Sequence, residues 1–322
     1  MAVVTLGAHI LDVLALPAPG APAGADTATG QDTIVVDEIR ATAAGAAAGT
    51  AVALARLGND VVSVGAIGDD DLGDLLVAIM TRNGVDVRGL VRRTAAQTAA
   101  SILPIRPGGR RSGGDRPVLH APGANLTLTA GAVGPGLLGA ASLVHLGGPD
   151  VTSGLNDPAF FAMLGAARET GTVVTMDVLS AMPGLLADAA AFLPQVDHFL
   201  PDAEQAAAMT GEDDPEKAAR ALLAQGPATV IVTLGGDGSL VAARTARGGR
   251  PDVHRLPALP VEAVDTTGCG DAYCAGFITG LAHGRDVLES ARWGTAAAAT
   301  VARGLGSGAC LTDLDDVLRM LK

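Results

Sequence analysis

Aromatic side chains and lysines are scarce in this chain of 322 residues, which has five Phe, one Tyr and one Trp. Its two lysines are Lys217 and Lys322. Neither follows a glycine-rich loop or lies on a Val-Ala-x-Lys strand, so the sequence excludes a Walker A NTPase and a protein kinase. The glycine runs also lack the G-x-G-x-x-G spacing of a dinucleotide site, which disfavours a dehydrogenase.

Positive charge and cysteine are also sparse. The chain has 22 basic and 34 acidic residues, and this balance disfavours nucleic acids and anionic membranes as partners. Its three cysteines contain no C-x-x-C pair, and no arginine or lysine precedes Arg40, so we expect neither disulfides nor a signal peptide. The longest uncharged stretch, residues 117–149, is interrupted by Gly and Pro, which disfavours a membrane helix. We therefore predict a cytoplasmic protein.

Short apolar runs alternate with longer helical patterns along most of the chain. The first alternations lie at residues 3–6, 46–57, 61–66 and 72–80, and further candidate strands follow at 142–146, 172–176, 198–200 and 229–234. This alternation predicts an α/β fold with a doubly wound, mostly parallel sheet flanked by helices. Since no linker divides the chain, we expect residues 1–322 to form a single domain.

Two segments depart from this alternation, at about residues 10–40 and 99–120. Each is typical of strand, turn, strand, with a Pro/Gly/Ala-rich tip at 17–30 in the first and a Gly/Arg-rich tip at 107–114 in the second. We expect them to form a small β lid over the carboxyl edge of the sheet, where ligands of such folds bind. The exposed edges of a lid invite strand pairing, which predicts a homodimer through the lid.

The most informative local pattern is Asp265-Thr-Thr-Gly-Cys-Gly-Asp271, followed by a helical run. Free N–H groups at a helix N-terminus favour an anion, and glycines let a phosphate approach the backbone closely. A carboxylate such as Asp271 beside that phosphate is well placed to take a proton from an attacking hydroxyl. The alternative is that the aspartates only cap the helix and the glycines only form a turn.

This segment resembles the C-terminal signature of the PfkB/ribokinase family of sugar kinases. The resemblance implies a ribokinase-like fold and transfer of a phosphoryl group from ATP, with Mg²⁺, to an alcohol. It implies that Asp271 is the catalytic base and that the backbone of Gly268, Cys269 and Gly270 forms an anion hole. Members of the family often bind a monovalent cation such as K⁺ near the backbone that matches Asp265 and Thr267.

Other segments resemble the acceptor side of the family. Asp12, at the end of a first-strand pattern, matches an Asp that hydrogen-bonds substrate hydroxyls. Residues 44–50 resemble the N-terminal signature, in which two glycines form a lid hinge and an Asn contacts the sugar. Here the pair is Ala44-Gly45, and Gly49 occupies the Asn position. Asn125 matches the return of the chain from the lid to the substrate.

A third set of segments resembles the nucleotide side. The turn Thr233-Leu-Gly235-Gly-Asp-Gly238 matches a turn near the ATP phosphates and ribose, although such a turn alone is more often a hairpin. Residues 296–307, which end at Ser307, match the helix and loop around adenine.

A final set of positions concerns the metal. Asp202 and Gln205 match an Asn-x-x-Glu pair that organises the surroundings of magnesium and phosphate, so Gln205 lacks the usual charge. Asp177, which ends a candidate strand, is a second residue expected near the metal, and a strand-end cap is the alternative interpretation.

Three functions remain open from the sequence. The first is a kinase for a small sugar or sugar acid, and the second is a nucleoside kinase of the same family. All aromatic residues lie after residue 159, so neither lid segment offers a ring on which a base could stack, and this favours the sugar. The third is a non-catalytic sugar or nucleotide sensor. The scattered histidines show no metal-ligand spacing, so we interpret them as structural.

Overall fold

The computed structural model describes residues 2–17, 35–105, 118–134, 136–245 and 249–322. Both predicted lid tips, apart from Pro17, lie outside the described residues. The strands are β1 Ala2–Gly7, β2 Ile10–Pro17, β3 Val36–Ala44, β4 Asp60–Gly68, β5 Asp86–Arg93, β6 Ala100–Pro104, β7 Leu119–Ala121, β8 Leu143–Gly147, β9 Val173–Asp177, β10 His198–Phe199, β11 Thr229–Thr233, β12 Ser239–Ala243 and β13 Asp252–Leu256. The helices are α1 Ala48–Arg56, α2 Asp71–Arg82, α3 Pro158–Glu169, α4 Pro183–Ala190, α5 Ala203–Thr210, α6 Pro215–Leu223, α7 Cys269–Ala282, α8 Val287–Ala302 and α9 Leu314–Met320.

The larger sheet has nine strands in the order β13-β12-β11-β10-β9-β8-β1-β4-β5. The strands from β5 to β11 pair in parallel, and β12 and β13 extend this edge antiparallel. Central strands such as β8 are buried along their whole length, as expected when helices cover both faces. The predicted doubly wound, mostly parallel α/β fold is therefore confirmed.

Small residues bring α7 and α8 close together beside this sheet. A Cβ at Gly276 would lie 2.5 Å from the Trp293 carbonyl oxygen, and one at Gly280 would lie 2.7 Å from Cα of Ser290. Bulkier residues would push the helices apart, so the glycines fix their distance. The two helices form a helical hairpin in the C-terminal part of the chain. Among the described helices, none has the length and apolar character needed to cross a membrane.

The smaller sheet has four strands in the order β3-β2-β6-β7, and we call it the lid sheet. Strand β2 pairs antiparallel with β3 and parallel with β6, and β6 pairs antiparallel with β7. Strand β2 follows β1 after two residues, and β3 leads through Gly45 into α1. The lid sheet therefore extends directly from the carboxyl end of a central strand of the larger sheet.

Candidate active site

Helix α7 begins beside an exposed glycine segment. Gly268 precedes its first turn with a left-handed φ of 77°, and a Cβ there would come within 2.6 Å of Cα of Ser307. A Cβ at Gly270 would meet nothing within 4 Å, so a ligand can reach this backbone. The Cys269 N–H donates to the Thr266 carbonyl at 3.2 Å, whereas the Gly270 N–H has no backbone acceptor among the described residues. Gly270 is therefore better placed than Cys269 to bind an anion.

Asp271 lies in the first turn of α7 and faces the first turn of α1. A Cβ at Gly49 would overlap the Asp271 carboxylate, at 2.8 Å from its Cγ. The Thr50 hydroxyl donates to the Asp271 carbonyl at 3.5 Å. Asp271 thus lies between the N-terminal ends of two helices, whose dipoles favour negative charge. The glycine at position 49 leaves the space that the carboxylate occupies.

Asp177 is an acidic side chain that lies near both Asp271 and Asp202. Asp177 ends β9, is 8% exposed, and accepts the Val178 N–H at 2.8 Å. Burial raises its pKa well above the usual range, and the negative charges of Asp271 and Asp202 raise it further. All these charges have the same sign, so a divalent cation in this region would relieve their repulsion.

Cys274 lies one turn after Asp271 on α7 and is buried. Burial raises the pKa of its thiol. The negative charges of Asp177 and Asp271, and a hydrogen bond with the Asp177 carboxyl group, raise this pKa further. The thiol is therefore neutral at pH 7 and lies close to the Asp177 carboxyl group. No signal in the sequence indicates this contact.

The acidic surroundings fit a magnesium ion that arrives with a nucleotide. Mg²⁺ usually keeps several waters and binds one or two carboxylates together with substrate phosphates. Among the described residues, no group of three or more His, Cys, Asp or Glu side chains could hold a metal on its own. Asp177 and Asp202 are the residues whose charges suit such an ion best.

Asp202 and Gln205 form a capping box at the start of α5. The Gln205 N–H donates to Asp202 Oδ1, and Gln205 Oε1 accepts the Asp202 N–H, both at 2.8 Å. Gln205 Nε2 also donates to the Val178 carbonyl at 2.8 Å. An ionised Glu has no proton to donate there, so the amide explains why Gln occupies this position. It ties α5 to the residue that follows Asp177.

The predicted nucleotide turn joins β11 to β12 as a hairpin. Gly235 has φ 59° and Gly238 has φ 91°, which favour glycine at both positions. A Cβ at Gly235 would meet nothing within 4 Å, so the turn is open to a ligand. Thr233 forms a bridge with Asp202, which brings the turn to the same sheet edge as Asp177.

Asp265 connects the segment before α7 to the loop after α8. Its Oδ1 accepts the N–H and the hydroxyl of Thr267 at 3.1 and 2.9 Å, and its Oδ2 accepts the Gly306 N–H at 2.9 Å. Ser307, next in this loop, packs against Gly268, and its buried hydroxyl has no hydrogen-bond partner among the described residues. The two segments therefore hold each other in place around the start of α7.

The corner between β1 and β2 supports the acceptor side. Asn125 Oδ1 accepts the His9 N–H at 2.9 Å, and Asn125 Nδ2 donates to the His9 carbonyl at 3.1 Å. Asn125 is 2% exposed, so its main contact here is with the corner that leads to Asp12. Direct contact of Asn125 with substrate stays a prediction. Gly45, with φ 83°, approaches the Ala8 carbonyl on the other side of this corner.

His9 itself is fully buried. Its ring lies 3.0 Å from the Gly7 carbonyl through Nδ1 and 2.8 Å from the Ser63 hydroxyl through Nε2. Burial lowers the pKa of His9 to about 4, against a weaker opposing effect of the Gly7 carbonyl. The ring is therefore neutral at pH 7 and serves structure, as predicted for the histidines.

A family model described as pfkB family carbohydrate kinase matches residues 23–314. The chain belongs to the PfkB family of carbohydrate kinases. It is therefore a phosphotransferase with an alcohol group as acceptor. Both the expected family and the expected enzyme class are confirmed.

Several proteins are similar to this PfkB-family chain over most of its length. Fructokinase-1 of Zea mays is 26% identical over an alignment of 292 residues, and the match covers 86% of this chain and 88% of that protein. The structure of Arabidopsis thaliana ribokinase complexed with ribose and ATP has a TM-score of 0.76 at 23% identity, covering 99% of this chain and 98% of that chain. Aminoimidazole riboside kinase from Salmonella enterica, complexed with aminoimidazole riboside and an ATP analog, has a TM-score of 0.74 at 23% identity and covers both chains completely.

Proposed function

We propose that this chain transfers the γ-phosphoryl group of ATP to a hydroxyl of a small sugar or sugar acid. Asp271 is the general base, and the backbone of Gly268, Cys269 and Gly270 is the anion hole. The observation that carries this proposal is the position of the Asp271 carboxylate, against Gly49 and beside the open backbone of Gly270. A base and an anion site thus occupy one helix turn.

In this mechanism the acceptor hydroxyl lies between Asp12 and Asp271. Asp12 accepts hydrogen bonds from neighbouring hydroxyls, and Asp271 takes the proton of the attacking one. An Asp is a weak base, with an ordinary pKa of about 4. The loose transition state of phosphoryl transfer, however, depends on positioning more than on basicity. The Gly270 N–H then donates to the oxygen of the transferring group.

ATP with Mg²⁺ occupies the opposite side in this proposal. Thr233, Gly235 and Gly238 would bind the phosphates and ribose, Ser307 would lie towards the adenine, and Asp177 and Asp202 would hold the metal. Bound Mg²⁺ would neutralise charge on the transferring phosphates. A monovalent cation such as K⁺ belongs near Asp265 and Thr267, where Asp265 already organises two backbone segments.

The distribution of aromatic side chains favours a sugar over a nucleoside. Four Phe are fully buried, and Tyr273 and Trp293 are 4% and 3% exposed. Phe161 packs against the largest core cluster. All seven rings are thus committed to packing, and the described strands of the lid sheet contain none. A nucleobase would find no stacking partner there, so preferential turnover of adenosine or inosine would contradict this choice.

The outer face of the lid sheet supports the expected dimer. Ile39, Ile102 and Leu119 lie on this face and are 70%, 54% and 64% exposed. A second copy of the chain would cover these side chains and the open edges of β3 and β7. Sedimentation at micromolar concentration tests this, since a monomer would exclude it. Among the described residues, Cys269, Cys274 and Cys310 form no disulfide, which suits the reducing cytoplasm, the location that we propose.

A phosphorylation screen tests the proposed function. Purified chain is incubated with ATP, Mg²⁺ and a panel of pentoses, hexoses, ketoses, sugar acids and nucleosides, with Asp271→Asn as the control. We expect one group of sugars to be phosphorylated by the wild type and not by Asp271→Asn. Tight sugar binding without turnover would indicate a sensor instead, and full activity of Asp271→Asn would refute the assigned base.

A further inference from the structure

Four polar side chains lie side by side across the inner face of the lid sheet. Strand pairing matches Thr42 of β3 with Asp12 of β2, and Asp12 with Ser101 of β6. Ser101 in turn pairs with His120 of β7. Paired residues of neighbouring strands point to the same face, so these side chains form one line, about 10 Å long from Thr42 to Ser101. We call it the polar row.

Apolar side chains enclose the polar row on both sides. Towards the larger sheet lies a cluster formed by Ile10, Ala44, Ala99 and the partly buried Leu179. Leu179 comes two residues after Asp177, so this cluster borders the carboxyl end of β9. Towards the tip of the lid lies a second cluster, formed by Leu14, Leu103, Ile105 and Leu305.

Leu305 belongs to the loop that holds Ser307 against Gly268. The polar row therefore lies between the end of β9 on one side and the segment that precedes α7 on the other. This is the gap in which the acceptor hydroxyl must meet the transferring phosphoryl group. Only Asp12 of the row matches a residue that the sequence assigns to the acceptor.

Three side chains of the polar row are buried and therefore need hydrogen-bond partners. Thr42, Asp12 and Ser101 are 8%, 7% and 6% exposed. The Thr42 hydroxyl has no hydrogen-bond partner among the described residues. An unpaired buried hydroxyl is energetically unfavourable, so it marks a position where a ligand can supply the missing bond.

The Ser101 hydroxyl is oriented by its neighbour. It lies 3.1 Å from His120 Nδ1. If the neutral ring accepts the serine proton, the lone pairs of Ser101 Oγ can accept hydrogen bonds from a ligand. Asp12 accepts as well, and Thr42 can donate or accept. Such a row matches a molecule with several hydroxyl groups.

The charges around the row disfavour an anionic acceptor. Arg40 is the one Arg or Lys on this face among the described residues of the lid strands. Its guanidinium is engaged by Glu38 at 2.8 Å and by the Leu305 carbonyl at 3.0 Å. A carboxylate on the acceptor would meet the negative charges of Asp12 and Asp271, and the described lid strands offer it no uncommitted Arg or Lys.

We propose that Thr42 and Ser101 bind the acceptor together with Asp12, and that the acceptor is an uncharged molecule with several hydroxyl groups. This assignment rests on the proposed kinase function and narrows its substrate class. Thr42 and Ser101 contact hydroxyls that do not react, so they set which sugar binds and affect the chemical step less.

The test compares Thr42→Val and Ser101→Ala with the wild type, using D-ribose, D-fructose and D-gluconate as first acceptors. Each substitution removes a hydroxyl and preserves most of the shape. Loss of a neutral hydrogen bond worth about 0.5–1.5 kcal/mol predicts an acceptor KM about two- to tenfold higher, with kcat and the KM for ATP nearly unchanged. Thr42→Ser should restore the wild-type KM, and Ile102→Val, on the opposite face, should leave it unaltered.

Monodeoxy analogues of the best acceptor separate contact from packing. For the analogue that lacks the hydroxyl bound by Thr42, wild type and Thr42→Val should have equal KM values, which a purely structural role would not produce. If the wild type phosphorylates a sugar and both variants keep its KM, the assignment is wrong and the kinase function stands. Preference for D-gluconate would overturn the uncharged acceptor. No transfer to any acceptor would overturn the proposed function and this assignment together.

Discussion

The α7 side and the lid side of the candidate cleft are built in different ways. On the α7 side, backbone groups and close glycine contacts dominate, as where Gly268 lies against Ser307. On the lid side, the groups that we propose to bind the acceptor are side chains in strand register, such as Thr42 and Asp12. The glycine positions of such a site tolerate few substitutions, because a Cβ at Gly268 would meet Ser307 and one at Gly270 would enter the space left for a ligand. A side-chain site can change its specificity while the strands remain as they are.

Gly49 is the point at which the two sides meet. It belongs to the signature on the lid side, but the space over its Cα is filled by the Asp271 carboxylate from the α7 side. The absence of the side chain that the family resemblance implies here is therefore matched by the position of the Asp271 carboxylate. In the sequence, Gly49 indicates the loss of a sugar contact. The structure gives a physical reason for the glycine at this position.

The largest effect is expected at the start of α7. Gly268→Ala would place a Cβ against Ser307 at a left-handed φ, so the anion hole should distort and kcat should fall about 10²–10³-fold. Gly270→Ala fits the helix and faces open space. It should preserve the melting temperature and still weaken ATP turnover, because its methyl group occupies the path of the phosphate. Unchanged kinetics in both variants would show that no phosphate binds there.

On the lid side, His9 should make the stability of the folded chain depend on pH. Its pKa is about 4 in the folded chain and about 6.5 when unfolded, so the unfolded state binds the proton first. The free energy of unfolding should therefore fall as the pH drops from about 6.5 to about 4, by up to roughly 3 kcal/mol from this residue. His9→Gln should flatten this part of the pH dependence in urea titrations, whereas the exposed His283→Gln should not. A slope that is the same in all three proteins would refute this role.

A smaller effect is expected where the two sides meet. Gly49→Ala would displace the Asp271 carboxylate, so we predict a kcat about 10–100-fold lower with little change in the KM for ATP. Gly165→Ala, in α3, is the matched control, since its Cβ would meet no atom closer than 4.0 Å. That variant should be slightly more stable and fully active. Equal kcat values in both variants would contradict the conclusion that the glycine at position 49 determines where the Asp271 carboxylate lies.

The smallest effect is expected at Gln205, whose side chain donates a hydrogen bond to the residue that follows Asp177. Gln205→Glu replaces the donor to the Val178 carbonyl by a buried charge and should lower the free energy of unfolding by about 1–3 kcal/mol at pH 7. Burial raises the pKa of the new carboxyl group, so its penalty is present above the ordinary Glu pKa and disappears as the pH falls. Denaturant titrations at pH 7 and pH 4.5 measure the difference. An equal loss at both values would contradict the proposed cause.

Much of the fold could be predicted from local patterns. The central strands and the helices α1 and α2 lie where the apolar runs and the helical patterns predict them. The apolar pattern does not predict strands β5, β12 and β13. Strand β5 lies at one edge, is half exposed and contains three arginines, so it lacks an apolar run. Strand β13, at the other edge, is mostly exposed.

The candidate site divides in the same way. The segment 265–271 is continuous in sequence, so its residue pattern alone is enough to indicate an anion site. The contact between His9 and Asn125 joins residues 116 positions apart, and the bond from Gln205 to Val178 spans 27. The polar row depends on the register of four strands. Such contacts arise from tertiary pairing and leave no local pattern in the sequence.

The central claim is that Asp271 and the start of α7 direct a phosphoryl group from ATP to a sugar hydroxyl. The most direct measurement follows ATP labelled in its γ-phosphate, incubated with Mg²⁺ and the acceptor panel, for the wild type and Asp271→Asn. We predict that the label enters a sugar phosphate ester with the wild type, and that Asp271→Asn lowers this rate about 10²–10⁴-fold while still binding ATP. Label found only in inorganic phosphate, or equal ester formation by both proteins, would contradict the claim.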